Sequence, residues 1–133
     1  MNDELIRRMP FSLEAEQSVL GSILIDPECM TELTGIITEQ DFQLKEHAEI
    51  FRVMKDMFLK SKSIDPITLI DELVKNGTYD EAGGKEYIKL IAENVPSSTN
   101  VKDYAEIVRN KSLLRSLIQT CSEINDSAFA EEE

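Results

Sequence analysis

Apolar residues recur along this chain at spacings of three and four, the period of helices that each lay one stripe on a core. The first stripe is Ala15, Val19, Leu20, Ile23 and Leu24. Ser12 stands where its hydroxyl caps free amides, Glu14 and Glu16 complement the dipole of the first turn, and Asp26-Pro27 stops the pattern. The same Asp26 and Pro27 read as N-cap and first position of a second helix carrying Met30, Leu33, Ile36 and Ile37. Ile50, Phe51, Met54, Met57 and Phe58 predict a third helix between Lys45 and Lys60. Asp65-Pro66 opens a fourth, with Ile67, Ile70, Leu73 and Val74, and Gly77 follows as a left-handed C-cap. Gly83-Gly84 turns the chain into a fifth, with Tyr87, Ile88, Leu90, Ile91 and Val95, closed by Pro96. From Asn100 to about Ala128 neither Gly nor Pro interrupts a final long helix. No stretch sustains strict alternation of apolar and polar residues. The fold class is therefore all-α, a compact bundle of about five short helices followed by a long one.

The final helix points two ways. At about 100° per residue, Val101, Tyr104, Ala105 and Val108 gather on one side, whereas Leu114, Leu117, Cys121, Ile124 and Ala128 gather roughly on the opposite side. A continuous helix cannot bury both faces against one globule. Either the helix breaks near Asn110 and folds back, or its second half is an arm that docks on something else. On the second reading the chain divides into a flexible N-terminal arm at 1–11, a globular domain at 12–109, the first arm of a protruding helical hairpin at 110–128 and an acidic tail at 129–133.

A length of 133 residues allows a core that needs no staples, and 41% hydrophobic with 30% charged residues is ordinary for a folded domain. The net charge of −12, from 26 acidic and 14 basic residues, opposes the phosphate backbone that dominates nucleic-acid affinity. Direct nucleic-acid binding by this segment is not expected. Cys29 and Cys121 are the only cysteines, each on an apolar stripe, and read as reduced core thiols of a cytoplasmic protein. No apolar run is long enough to span a bilayer.

Catalytic chemistry is missing from the pattern. His47 is the only histidine, with no second histidine or cysteine near it, and reads as a structural side chain. The stretch from Tyr79 to Glu86 places Gly84 before Lys85 at a helix start. It lacks the first glycine, the Ser or Thr and the preceding strand of a phosphate loop. Paired carboxylates such as Glu14 with Glu16 and Asp71 with Glu72 arise by chance in so acidic a chain and read as solvated faces. The reading is a protein-binding domain, with no catalytic residue, no metal and no cofactor of its own.

The run from Pro10 through Glu14, Gln17, Val19, Leu20 and Gly21 to Asp26-Pro27 resembles the opening of the N-terminal domain of bacterial replicative DNA helicases, the DnaB family. Further fragments follow in that family's order: Asp41-Phe42 with His47 and Ile50-Phe51, Ile64-Asp65 with Leu69, Gly83-Gly84 with Tyr87, Asn94-Val95-Pro96-Ser97 with Asn100, and Tyr104-Ala105 with Ile107-Val108 and Leu113-Leu114. The resemblance covers residues 10 to about 125. It implies a helical bundle with a hairpin whose first arm is the second half of the last helix. Six copies would form a collar as a trimer of dimers, which binds the C-terminal helicase-binding domain of primase and communicates with loader proteins. ATP and Mg would belong to a separate motor domain.

For partner and oligomer contacts the candidates are Leu114, Leu117, Ile118, Cys121 and Ile124, whose stripe has no acceptor within the globule, together with Tyr87. Tyr87 is either a core tyrosine or one whose hydroxyl reaches an interface. Glu14, Glu16 and Gln17 match the family's opening, but capping and dipole effects already account for them. A free-standing helical adaptor that dimerises through its last helix is the competing reading.

Overall fold

The computed structural model describes residues 9–95 and 97–131. Among the described residues six α-helices carry the fold, α1 (Leu13–Ile25), α2 (Met30–Leu33), α3 (Lys45–Leu59), α4 (Pro66–Lys75), α5 (Gly84–Asn94) and α6 (Val101–Glu131). Two single 3-10 turns, Pro27–Cys29 and Glu39–Asp41, join the early helices, and no strand occurs among the described residues.

Local chemistry sets the helix ends. Ser12 accepts the Ala15 amide at 3.1 Å, and Asp65 exchanges hydrogen bonds with Thr68 in a reciprocal cap at the start of α4. Gly77 takes φ +74 just after α4, a left-handed turn that costs glycine little. The second helix is shorter than expected. Asp26 makes no side-chain cap and the chain begins as a 3-10 turn at Pro27, so only Met30–Leu33 becomes α-helical. Ile37 is still buried, but from the turn that follows.

Helix α1 is the central element. Ala15, Glu16, Val19, Leu20, Gly21, Ser22 and Ile23 are all buried, because α1 packs on α3, α5 and α6. Its tightest approach is at Gly21, where an added Cβ would lie 2.5 Å from Val95 Cγ2 and 2.8 Å from the Ile91 carbonyl oxygen. Only a residue without a side chain lets α1 and α5 come this close. Ile50, Phe51, Met54 and Met57 of α3, Leu69 and Leu73 of α4, and Ile88 and Ile91 of α5 complete one core.

Helix α6 is continuous. Val101, Ala105 and Val108 are buried against the bundle, and no break occurs near Asn110. Beyond that point the apolar docking face ends while the helix runs on to Glu131. Cys121 is exposed on this extension and Cys29 is half-buried. The expectation that Cys121 is a core thiol fails because its stripe lies where the globule offers no surface.

Candidate interaction surface and the polar network behind it

The distal half of α6 carries the exposed stripe. Leu114, Leu117 and Ile124 are 46%, 61% and 64% exposed, with Leu113 and Phe129 also open to solvent. Cys121 belongs to the same exposed face, while Ile118 is half-buried. Leu114, Leu117, Cys121, Ile124 and Ala128 follow one another at spacings of three, four, three and four, the seam of a helix that packs along a partner helix. The structure thus brings four of the candidate residues onto one open surface and sets Ile118 at its edge. Tyr87 lies elsewhere, on α5.

The opposite face of the same helix is polar where it passes the globule. Ser112 Oγ donates to Asp41 Oδ1 at 2.8 Å, and Arg115 donates from Nη1 to the Pro10 carbonyl at 2.8 Å and from Nη2 to the Asp41 carbonyl at 2.6 Å. Burial pulls the Arg115 guanidinium below its usual value, against the pull of the Glu16 and Asp41 carboxylates. Stripe analysis missed these anchors because it tracks apolar residues. The available signal was that Ser112 and Arg115 continue the helical register of Val101 and Val108.

A second polar feature sits inside the bundle. Glu16 and His47 are buried and bonded, with Nδ1 of His47 2.7 Å from Glu16 Oε1. Glu16 also accepts the amides of Gln43 at 2.8 Å and Leu44 at 3.3 Å. His47 Nε2 meets the Tyr87 hydroxyl, which accepts in turn from Gln17 Nε2 at 3.2 Å. One assignment satisfies every atom with a neutral imidazole: Nδ1–H donates to Glu16, Tyr87 O–H donates to Nε2, and Gln17 donates to Tyr87. The His47 ring lies nearly parallel to that of Tyr87, the two meeting end to end through their hydrogen bond, and edge-on to Phe42. Burial pushes the Tyr87 phenol up, partly offset by the Gln17 hydrogen bond, with the Glu46 and Glu16 charges adding to the rise.

These contacts correct one expectation. Glu16 keeps its first-turn position but is not a solvated carboxylate: it is buried and accepts hydrogen bonds from the segment ahead of α3. The Tyr87 hydroxyl is bonded to His47 and Gln17, while the residue itself is half-buried. His47 is a buried, fully bonded side chain. Period reading assigns burial to apolar residues and so passes over Glu16.

Nucleotide chemistry does not fit the Gly83-Gly84 turn. The Lys85 amide, which a phosphate would need, already donates to the Tyr79 hydroxyl at 3.0 Å. A helical turn, with no strand, precedes these glycines. Among the described residues no three His, Cys, Asp or Glu side chains gather to hold a metal ion, and no helix is long and apolar enough to cross a membrane.

Residues 8–110 match the family described as the DnaB-like helicase N terminal domain. The chain belongs to this family. It is 36% identical over 124 residues to the replicative DNA helicase DnaB of Geobacillus stearothermophilus, covering 93% of this chain and 27% of that protein. It is 38% identical over 120 residues to the DnaB of Pasteurella multocida, covering 90% of this chain and 26% of that one. Among solved structures, the N-terminal domain of DnaB helicase from Mycobacterium tuberculosis superimposes with a TM-score of 0.91 at 28% identity, covering 95% of this chain and 90% of that one. A DnaB-like replicative helicase described with its interactions with primase matches with a TM-score of 0.76 at 28% identity, covering 90% of this chain and 28% of that chain. The chain spans between about a quarter and a third of the length of the curated relatives it matches. What is present is thus a DnaB N-terminal domain, not the ATPase motor of a replicative helicase.

Proposed function

We propose that this chain is the collar domain of a hexameric, cytoplasmic replicative helicase. In this reading it assembles with copies of itself, through dimers into a trimer of dimers, and docks the C-terminal helicase-binding domain of primase and helicase loaders. Residues 12–109 form the globule, 110–128 the first arm of a hairpin, 129–133 an acidic end whose first three residues still belong to α6, and 1–11 an N-terminal arm; residues 1–8 and 132–133 of these lie outside those described. ATP and Mg serve a motor domain outside this segment.

The observation that carries the reading is the exposed seam on α6. Leu114, Leu117 and Ile124 lie open to solvent on a helix that leaves the globule, and an uncovered apolar row of that length is an aggregation hazard unless another helix covers it. The solved relative described with primase supports a primase partner, and the net charge of −12 suits a basic protein partner better than DNA. Sedimentation across a concentration series, with and without the primase C-terminal domain, tests it. Concentration-dependent assembly, and faster-sedimenting complexes on adding primase, are expected. A monomer indifferent to primase overturns the proposal.

A further inference from the structure

An α-helix rises about 1.5 Å per residue, so the part of α6 beyond Val108 is a lever of roughly 35 Å. Its last buried apolar contact is Val108. If apolar packing alone held α6, the lever would pivot there, and a tilt of a few degrees would move its tip by several ångströms. Polar contacts one and two turns further out prevent this pivot. Ser112 and the two terminal guanidinium nitrogens of Arg115 take hold of Asp41 and Pro10, while Arg109 donates to the Ile36 carbonyl at 3.1 Å.

The segment they hold is itself fastened from behind. Asp41 accepts the Thr38 amide on Oδ2 at 2.8 Å, leaving Oδ1 for Ser112 and its carbonyl for Arg115. Two and three residues later, the Gln43 and Leu44 amides are donated to the buried Glu16 carboxylate of α1. Residues 41–44 are therefore bonded to the centre of the bundle on one side and to α6 on the other. Such two-sided bonding fixes geometry, because moving the segment breaks charge-assisted bonds on both sides at once.

We propose that residues 41–44 are a clamp that sets the direction in which the distal half of α6 leaves the globule, with Arg115 as its positioning residue and Glu16 as its anchor. Arg115 acts through its planar fork, which reaches two carbonyls together, and a lysine ammonium cannot hold both. The clamp concerns the intramolecular geometry of this chain and stands whether or not primase or a second copy binds the arm.

Paired spin labels at Lys60→Cys and Ser127→Cys, in a Cys29→Ser and Cys121→Ser background, read the direction of the arm. Dilution with excess unlabelled chain keeps the signal intramolecular. The parent should give one narrow distance distribution. Arg115→Met should broaden it at least twofold, Arg115→Lys should restore the width only part-way, and Glu16→Gln should broaden it from the far side of the clamp. Helical content measured on the same samples separates a freed arm from an unfolded globule, and Arg52→Met, which breaks an exposed contact on α3, should leave the distribution unchanged. An Arg115→Met distribution superimposable on the parent, in a folded protein, overturns the clamp. So does broadening by Arg52→Met equal to that by Arg115→Met.

Discussion

Nδ1 of His47 lies 2.7 Å from Oε1 of Glu16, with both side chains closed to solvent in a domain whose surface is otherwise rich in carboxylates. Glu16 is the acceptor for three donors, the His47 imidazole and the Gln43 and Leu44 amides. Replacing it with alanine strands all of them in the interior. Glu16→Ala should cost about 3 to 5 kcal/mol of folding stability, read from the urea midpoint at constant slope. A loss below about 1 kcal/mol would mean that water takes over the acceptor role.

Gly21 predicts a packing limit. A methyl group there meets Val95 Cγ2 and the Ile91 carbonyl oxygen inside contact distance. Gly21→Ala should therefore destabilise the domain by roughly 2 kcal/mol, although alanine is intrinsically the better helix former. Thermal melting of the two proteins checks the sign.

The exposed seam predicts that Leu117→Asp with Ile124→Asp weakens self-association or primase binding at least tenfold, about 1.4 kcal/mol. The melting of the globule should stay nearly unchanged, since both side chains are more than half exposed. Loss of fold in the double variant would show that the seam belongs to the core.

The two cysteines should differ sharply in reactivity. Burial, with the Asp26 and Glu32 charges adding to it, pushes the Cys29 thiol up to about 12. Cys121 stands open on the arm. At pH 8 a thiol reagent should modify one cysteine quickly and Cys29 on the order of a hundredfold or more slowly. Because the folded state disfavours the Cys29 thiolate, its stabilising effect is complete below the ordinary thiol value of 9.0 and is lost as pH rises toward 12. Stability should fall over that window, and less steeply in Cys29→Ala. The raised Tyr87 phenol acts with the same sign above pH 10, so Tyr87→Phe should flatten the curve there.

Helix starts and stops were legible because they are local chemistry. Ser12, Asp65-Pro66, Gly77 and Gly83 act on amides and dihedrals within a few residues, and the stripe of α3 declares its buried face by period alone. The all-α class and the reversal of faces along α6 follow from such local evidence. α2 is shorter than the pattern suggests, because Asp26 makes no cap and the chain opens as a 3-10 turn at Pro27.

Tertiary structure decided the polar interior. Gln17 and Tyr87 stand 70 residues apart, with Glu16 and His47 in the same network, and no spacing rule indicates that a first-turn glutamate is buried or that a tyrosine bonds a distant histidine. Arg115 is likewise an ordinary charge on a helix until Asp41 and Pro10 are folded against it. Apolar burial has a period because any apolar neighbour will serve. A hydrogen bond needs one partner at one distance, and only the folded chain brings that partner into place.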